Sequence, residues 1–333
     1  MASGPTLLVD TSFLGDVLCA EPLVRAAARR WPEEPVDFLA GPGGAQMLQG
    51  HPQLREVLVF DKRGADRGLN GLRRMAGRLR RRGYLRAICS HRSWRTAGLL
   101  RLAGIPERTG FKGASAAWLY SRKIPYRNDL HEIERNLQLL GGGPWERPRM
   151  FPSEAERQRA ADLAPSGPFV AIAPGSIWAT KRWPARHFEQ VVRSLTRTDG
   201  IPVVLLGGPD DRELCDRIAT VGDRRVTDLC GRTRLRESFA VLERAAVLLS
   251  NDSAPMHMGV AAGIPVVAIY CSTVPGFGFG PRGERDLVLE VDGLACRPCG
   301  IHGHPECPEK HFRCGKDLDP ASVLEAIRAR VRT

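Results

Sequence analysis

Short apolar runs and longer amphipathic stretches alternate along most of the chain. In the first half, TLLVD (6–10), VDFLA (36–40), LREVLVF (54–60) and LRAICS (85–90) have the length and apolar content of buried strands. Between the first two, VLCAEPLVRAAARRW (17–31) repeats its apolar residues at helical spacing and predicts one helix. In the second half, FVAIAP (169–174), PVVLLGG (202–208), AVLLSND (246–252) and PVVAIYCS (265–272) read as strands. PARHFEQVVRSLTR (184–197), DRELCDRIAT (211–220), RESFAVLERA (236–245) and PMHMGVAAG (255–263) read as helices. A last amphipathic helix, 319–331, begins at an Asp cap. Strands alternating with helices predict parallel βα units, an α/β protein.

The periodicity lapses at GGGPWERPRMFP (141–152), the best linker candidate; SEAERQRAADLA (153–164) restarts it with a Ser-x-x-Glu cap. We therefore expect two Rossmann-like domains, 1–150 and 151–333, and 333 residues suit two domains of about 150 each. Open α/β sheets bind ligands at the carboxyl ends of their strands. The loops after strands in both halves are expected to face a central cleft.

Hydrophobic residues make up 43% of the chain, enough for a core in each half. No apolar run reaches the roughly 18 residues that span a bilayer. The first ten residues lack a basic region and pass straight into a strand, so we expect no signal peptide and a cytoplasmic protein. The net charge of +12 comes nearly all from Arg and favours anionic partners, unless it only reflects an Arg-rich composition. Its densest run, Arg73, Arg74, Arg78, Arg80, Arg81 and Arg82, suits either a membrane or phosphorylated glycolipid, or simply a solvated helix face.

Four loops carry candidate chemistry, each after a strand. In Ser12-Phe13-Leu14-Gly15-Asp16, Gly15 permits a tight turn, and Asp16 is either a helix N-cap or a carboxylate able to take a proton from a hydroxyl. In Pro174-Gly175-Ser176-Ile177-Trp178-Ala179-Thr180-Lys181-Arg182-Trp183-Pro184, backbone N–H groups, the Ser176 and Thr180 hydroxyls and the Lys181 charge suit a phosphate. The loop lacks the Gly-Lys-Ser/Thr ending of a P-loop, so ATP hydrolysis is not indicated. In Asn251-Asp252-Ser253-Ala254-Pro255-Met256-His257, Ser253 and Pro255 mark a helix start whose free N–H groups suit a pyrophosphate; Asp252 suits sugar hydroxyls, and His257 is either packed or functional. In Gly207-Gly208-Pro209-Asp210-Asp211-Arg212-Glu213, one acid is expected to bind a ribose diol.

The order SFLGD, PGSIWATKRWP, NDSAPMH and GIPVVAIYCST resembles glycosyltransferase family 9, the ADP-heptose:lipopolysaccharide heptosyltransferases, over about residues 6 to 325, and the PGSIWATKRWP form leans toward the heptosyltransferase II type. The resemblance implies a GT-B fold and an inverting transfer that needs no metal. It implies ADP-L-glycero-β-D-manno-heptose as donor and the lipopolysaccharide inner core as acceptor, heptosyl-Kdo2-lipid A or Kdo2-lipid A. By the same resemblance Asp16 is the catalytic aspartate and Lys181 the phosphate-binding lysine. Ser176, Thr180, Glu213, Asp252, Ser253, Ala254 and His257 complete the donor site, with Ala254 standing where the family commonly has Gly. Ser12 and Gly15 are expected near the acceptor. An acceptor of this kind implies peripheral contact with the cytoplasmic face of the inner membrane. The rival readings are a GT-B transferase or epimerase using another nucleotide sugar, and a basic nucleic-acid-binding protein. Against the last, basic residues are dispersed and aromatics, at 6%, show no stacking pattern beside them.

Of nine cysteines, Cys19, Cys89, Cys215, Cys230 and Cys271 sit in apolar contexts and read as small core residues. Cys296, Cys299, Cys307 and Cys314 cluster in the segment 296–314 with His302, His304 and His311. They suit a structural zinc or reduced thiols that pack a loop, with a disulfide or an Fe–S cluster as the remaining reading.

Overall fold

The computed structural model describes residues 4–331. The chain divides between Phe151 and Pro152 into two compact units. The first contains β1 (Thr6–Asp10), β2 (Val36–Ala40), β3 (Glu56–Val59), β4 (Arg86–Cys89), β5 (Glu107–Phe111) and β6 (Arg122–Ile124) in one parallel sheet of order β3-β2-β1-β4-β5-β6. The second contains β7 (Val170–Ala173), β8 (Val203–Leu205), β9 (Val226–Asp228), β10 (Val247–Asn251), β11 (Val266–Tyr270) and β12 (Leu287–Glu290), also parallel, in the order β12-β11-β10-β7-β8-β9. Counted from its own first strand, each sheet has the order 3-2-1-4-5-6 of a doubly wound fold. The expected Rossmann-like architecture therefore holds for both units.

The alternation of strand side chains builds a core on each face of the first sheet. Leu7 and Val9 of β1 pack with Leu39, Leu58 and Leu79 on one side. Leu8 packs with Val17, Leu23, Phe38 and Ile88 on the other. In the second unit Val170, Ile172, Leu249 and Ile269 meet Phe188, Val191 and Ile327. Strand order reverses between β1 and β4, and again between β7 and β10. A crevice opens at such a point outside the carboxyl ends of the strands. Three of the four candidate loops, those after β1, β7 and β10, lie there; the fourth follows β8, next to β7.

Several elements differ from the sequence expectation. The helix expected over 17–31 is two helices, Leu14–Cys19 and Glu21–Arg30, broken at Ala20. Pro22 is the cause: it offers no N–H to the Leu18 carbonyl, and its ring crowds that carbonyl. Strands β5, β6, β9 and β12 were not expected. β6, β9 and β12 lie at sheet edges, are short and lack fully buried residues, so no apolar run announces them. β5 is interior, but its first three residues are polar and only Gly110 and Phe111 are buried. The capping box at Ser153 and Glu156 forms as read. The segment before it is fastened to the first unit: Arg25 bonds Glu146 and the Arg147 carbonyl, the Arg149 N–H reaches Glu21 at 3.0 Å, and Phe151 packs edge-on against His51.

The arginine run lies on the helix Gly68–Arg81 and just beyond it. Much of its charge is matched internally: Arg74 pairs with Asp66, while Arg78 and Arg82 both pair with Glu56. Among the described residues, no helix is long and apolar enough to cross a membrane.

Candidate active site

The first unit contributes a carboxylate. β1 ends at Asp10, the chain turns through Thr11, Ser12 and Phe13, and a helix starts at Leu14. Asp16 is not the N-cap: Phe13 holds that position, with no capping side chain, and Asp16 is the third helical residue. From there its carboxylate reaches back to the Phe13 backbone N–H and to the Ser12 hydroxyl, as an acid at that position does in a capping box. Gly15 lies within the first helical turn, so the tight turn falls on the residues before it. Asp16 is half-buried, and its carboxyl is pushed up to about 7 by burial and by the neighbouring Asp10 and Glu132 charges; its own hydrogen bonds only partly oppose this. A carboxylate with that proton affinity is suited to general-base work near neutral pH.

At Thr11, the first residue after β1, the fold gathers residues that carried no sequence signal. Lys62, after β3, donates from Nζ to Thr11 Oγ1 at 2.9 Å. His91, after β4, hydrogen-bonds the same oxygen through Nδ1 at 2.9 Å. Burial lowers the proton affinity of both. Arg95 holds the Lys62 loop by donating to the carbonyls of Lys62, Asp66 and Gly68. Within 4.0 Å of Lys62 Nζ no carboxylate is found among the described residues, so this half-buried cation is available to an anion.

In the second unit the loops after β7 and β10 come together. Asn251, fully buried at the end of β10, fixes both ends of the loop after β7: its Nδ2 donates to the Pro174 carbonyl at 2.7 Å, and its Oδ1 accepts the Trp183 N–H at 3.0 Å. Within that loop Ser176 is buried, and Arg182 donates to the Ser176 carbonyl at 2.6 Å. Lys181 Nζ lies 2.6 Å from Asp252 Oδ2, which also accepts the Thr273 hydroxyl at 2.7 Å. The next helix, Ala254–Ala262, starts at Ser253 with Pro255 in its first turn and no side chain capping it; the Ser253 hydroxyl turns back to the Asn251 carbonyl at 3.3 Å. A lysine with two further N–H groups beside an uncapped helix start offers donors of the kind that suit phosphate oxygens. His257 is buried one turn into the helix. Burial and the Lys181 charge push its pKa down to about 4, against Asp252, so it is neutral at pH 7.

Thr180 departs from the expectation that its hydroxyl faces a phosphate. Thr180 Oγ1 accepts the His304 N–H at 2.8 Å and the Ser272 hydroxyl at 3.0 Å, and donates to the His304 carbonyl at 3.2 Å. One donor and two acceptor positions are thereby filled, and the residue anchors the loop. Gly303 (φ 87°) lets this contact form, since a Cβ there would sit 3.0 Å from Lys181 Cγ and 3.1 Å from Trp178 Cβ. Of the acids in 210–213, Glu213 is exposed in the first turn of the helix Arg212–Ala219. Asp211 turns inward: it accepts the Gly208 N–H at 3.0 Å, and a Cβ on Gly175 would lie 2.2 Å from its Oδ1.

The four clustered cysteines lie near enough to influence one another: burial first, and then the neighbouring thiols, raise the proton affinity of Cys299 and Cys314. Cys296 Sγ is 3.8 Å from His311 Nε2, Cys299 donates to the Cys296 carbonyl, Cys307 accepts the Phe312 N–H, and Cys314 is buried in the core. Among the described residues the only three potential ligands with atoms within 4.8 Å of one another are Cys215, Asp228 and Cys230. Tetrahedral zinc with Zn–S bonds of about 2.3 Å needs sulfurs about 3.8 Å apart; among the described residues no three ligand atoms of the segment 296–314 come that close together.

The model of glycosyltransferase family 9 (heptosyltransferase) matches residues 72–310. Lipopolysaccharide heptosyltransferase 2 of Escherichia coli (strain K12) is 26% identical over 348 residues, covering 97% of each chain. Lipopolysaccharide heptosyltransferase 1 of Pseudomonas aeruginosa is 27% identical, covering 88% of this chain and 85% of that one. The fold is that of the solved E. coli ADP-heptose lipopolysaccharide heptosyltransferase II (TM-score 0.82, 24% identity, 98% of each chain) and of a family 9 glycosyltransferase from Veillonella parvula (TM-score 0.88, 22% identity, 98% and 97%). With a match over most of its length and two doubly wound sheets of the expected order, the chain belongs to glycosyltransferase family 9, the heptosyltransferases, and is a glycosyltransferase.

Proposed function

We propose that this enzyme transfers heptose from ADP-L-glycero-β-D-manno-heptose to the inner core of lipopolysaccharide, with inversion. The observation that carries the reading is Lys181 beside an uncapped helix start, on a loop that Asn251 pins at both ends. The acceptor hydroxyl attacks the anomeric carbon, Asp16 takes its proton, and ADP leaves from the opposite face. Lys181, the N–H groups at Ser253 and Ala254, and the backbone around Ser176 stabilise the charge that grows on the diphosphate. Asp252 orients Lys181 and contacts sugar hydroxyls, neutral His257 shapes the pocket, and Asp211 or Glu213 takes the ribose. Ser12, Gly15, Lys62 and His91 face the acceptor. The names of the E. coli and P. aeruginosa relatives support the substrate classes. The two units thus serve as acceptor-binding and donor-binding domains.

Calorimetry without added metal tests the donor. ADP is expected to bind at least about tenfold more tightly than GDP or UDP, a difference of about 1.4 kcal/mol. Preference for GDP or UDP would favour another nucleotide sugar, and no binding of any of the three would sink the reading. We infer further that the enzyme works at the cytoplasmic face of the inner membrane, in peripheral contact with its glycolipid acceptor, and that its positive charge serves this surface and not nucleic acid. For the cysteine segment the geometry favours reduced, packing thiols. Protein purified without chelators is expected to hold well under one zinc per chain; a stoichiometric content would show that Cys296, Cys299, Cys307 and Cys314 close around the ion.

A further inference from the structure

Two carboxylates and one hydroxyl share hydrogen bonds at the end of β1. Asp10 is buried, at 3% exposed. Its Oδ1 accepts the Ser12 N–H at 2.9 Å and the Ser12 hydroxyl; its Oδ2 accepts the Ser90 hydroxyl at 2.6 Å. Ser90 follows β4, so Asp10 ties together the two strands between which the sheet order reverses. The Ser12 hydroxyl also reaches Asp16. A hydroxyl has one proton, so it serves Asp10 or Asp16 but not both. When both carboxylates are ionised, one of them lacks that donor.

The other charges nearby are accounted for. Glu132 faces Asp16 from the helix Glu132–Gln138 but is held by Arg135 at 3.0 Å and the Tyr126 hydroxyl at 2.9 Å. Lys62 and His91 face Asp10 from the loops after β3 and β4. The Cys19 thiol, also near both aspartates, is kept neutral by burial. Asp10 itself, buried and with both oxygens engaged, is not placed to meet a substrate.

We propose that Asp10 is a positioning residue for the transfer: fastened by Ser12 and Ser90, it fixes the turn between β1 and the helix that carries Asp16 and holds the Ser12 hydroxyl beside that carboxylate. The proposal rests on the reading of Asp16 as the base. In the reaction the acceptor O–H bond breaks and its proton passes to Asp16. The acceptor oxygen bonds to the anomeric carbon, and the bond from that carbon to the diphosphate breaks with its electron pair leaving on ADP. Once protonated, Asp16 no longer competes for the Ser12 hydroxyl, which then donates to Asp10 alone. Asp10 is the second contributor, after burial, to the raised proton affinity of Asp16.

The test is the pH profile of kcat/KM for Asp10→Asn in the full chain, with ADP affinity as a control. The acid limb is expected to move down by about one pH unit, the effect of removing one nearby like charge, and kcat at pH 7 to fall by about two- to fivefold, because the base weakens while a larger share of it is ionised. ADP affinity should not change, and Asp10→Glu should return the limb toward the wild-type position. Ser12→Ala removes a donor to Asp16 and should move the limb the other way, which covers the case in which Asp10→Asn does not fold. An unmoved limb in Asp10→Asn, or limbs displaced in the same direction by the Asn and Ala variants, would overturn the proposal. If Asp16→Ala kept its turnover and acid limb, the base reading would fail first. An inactive Asp16→Ala beside an Asp10→Asn with an unmoved limb would defeat this proposal alone.

Discussion

Asp16→Asn is expected to lose about 10²- to 10⁴-fold in kcat, the usual worth of a general base, while binding ADP as the wild type does, because Asp16 and the donor loops lie in different units. The same variant should be more stable, in a pH-dependent way. The Asp16 carboxyl titrates at about 7 in the folded protein against 3.8 unfolded. Between those values the native state holds the proton that the unfolded state has released, so stability falls as pH rises through this window. The penalty is absent below about pH 4 and complete above pH 7. The full shift corresponds to about 4 kcal/mol; discounting it by half for solvent near a half-buried group leaves about 2 kcal/mol, or roughly 4–8 °C in Tm. Thermal melts of both proteins at pH 4 and pH 8 measure this: the Tm difference should be near zero at the first and largest at the second. Wild-type turnover in Asp16→Asn would remove it from the base role, and a Tm difference independent of pH would contradict the strained carboxylate.

Lys181→Met is expected to weaken ADP binding by about 10- to 100-fold, the worth of a charge-assisted hydrogen bond to phosphate, and to slow transfer as well. It should also cost about 3 kcal/mol of stability, because Asp252 is left as a nearly buried charge without its cation, held by the Thr273 hydroxyl. The double variant Lys181→Met/Asp252→Asn separates the two effects. It should recover most of the stability, since neither charge remains, yet bind ADP no better than the single variant. Recovery of ADP affinity in the double variant would mean that Lys181 serves the fold alone.

Much of this organisation was legible in the sequence because doubly wound sheets write their central strands as apolar runs. TLLVD and VLLSN are buried along their whole length and stand out. β6 and β9, at sheet edges and without a fully buried residue, do not, and neither does β5, whose first three residues are polar. The candidate loops were legible one at a time, as with the loop of Lys181 and the Asn251–Asp252–Ser253 turn, but the ion pair that joins these two was not. It was illegible where the fold assembles residues from distant loops: Lys62 and His91 meet at Thr11 from the ends of two other strands. Thr180 shows a different limit. Its residue type fitted a phosphate loop, but whether a hydroxyl is free depends on what packs over it, and the partner, His304, lies 124 positions away.

That last contact has a practical side. Cys299 donates its N–H to the Ser272 carbonyl, and its own carbonyl meets His304 Nε2, so the cysteine segment leans on Thr180 and, through Gly303, on Lys181. An alkylating or oxidising reagent that adds bulk at Cys299 would pry at the anchor of the donor loop. Inactivation by thiol reagents, protected by nucleotide, is the signature from which a cysteine nucleophile is commonly diagnosed. Here both the inactivation and the protection would arise without any sulfur taking part in the reaction.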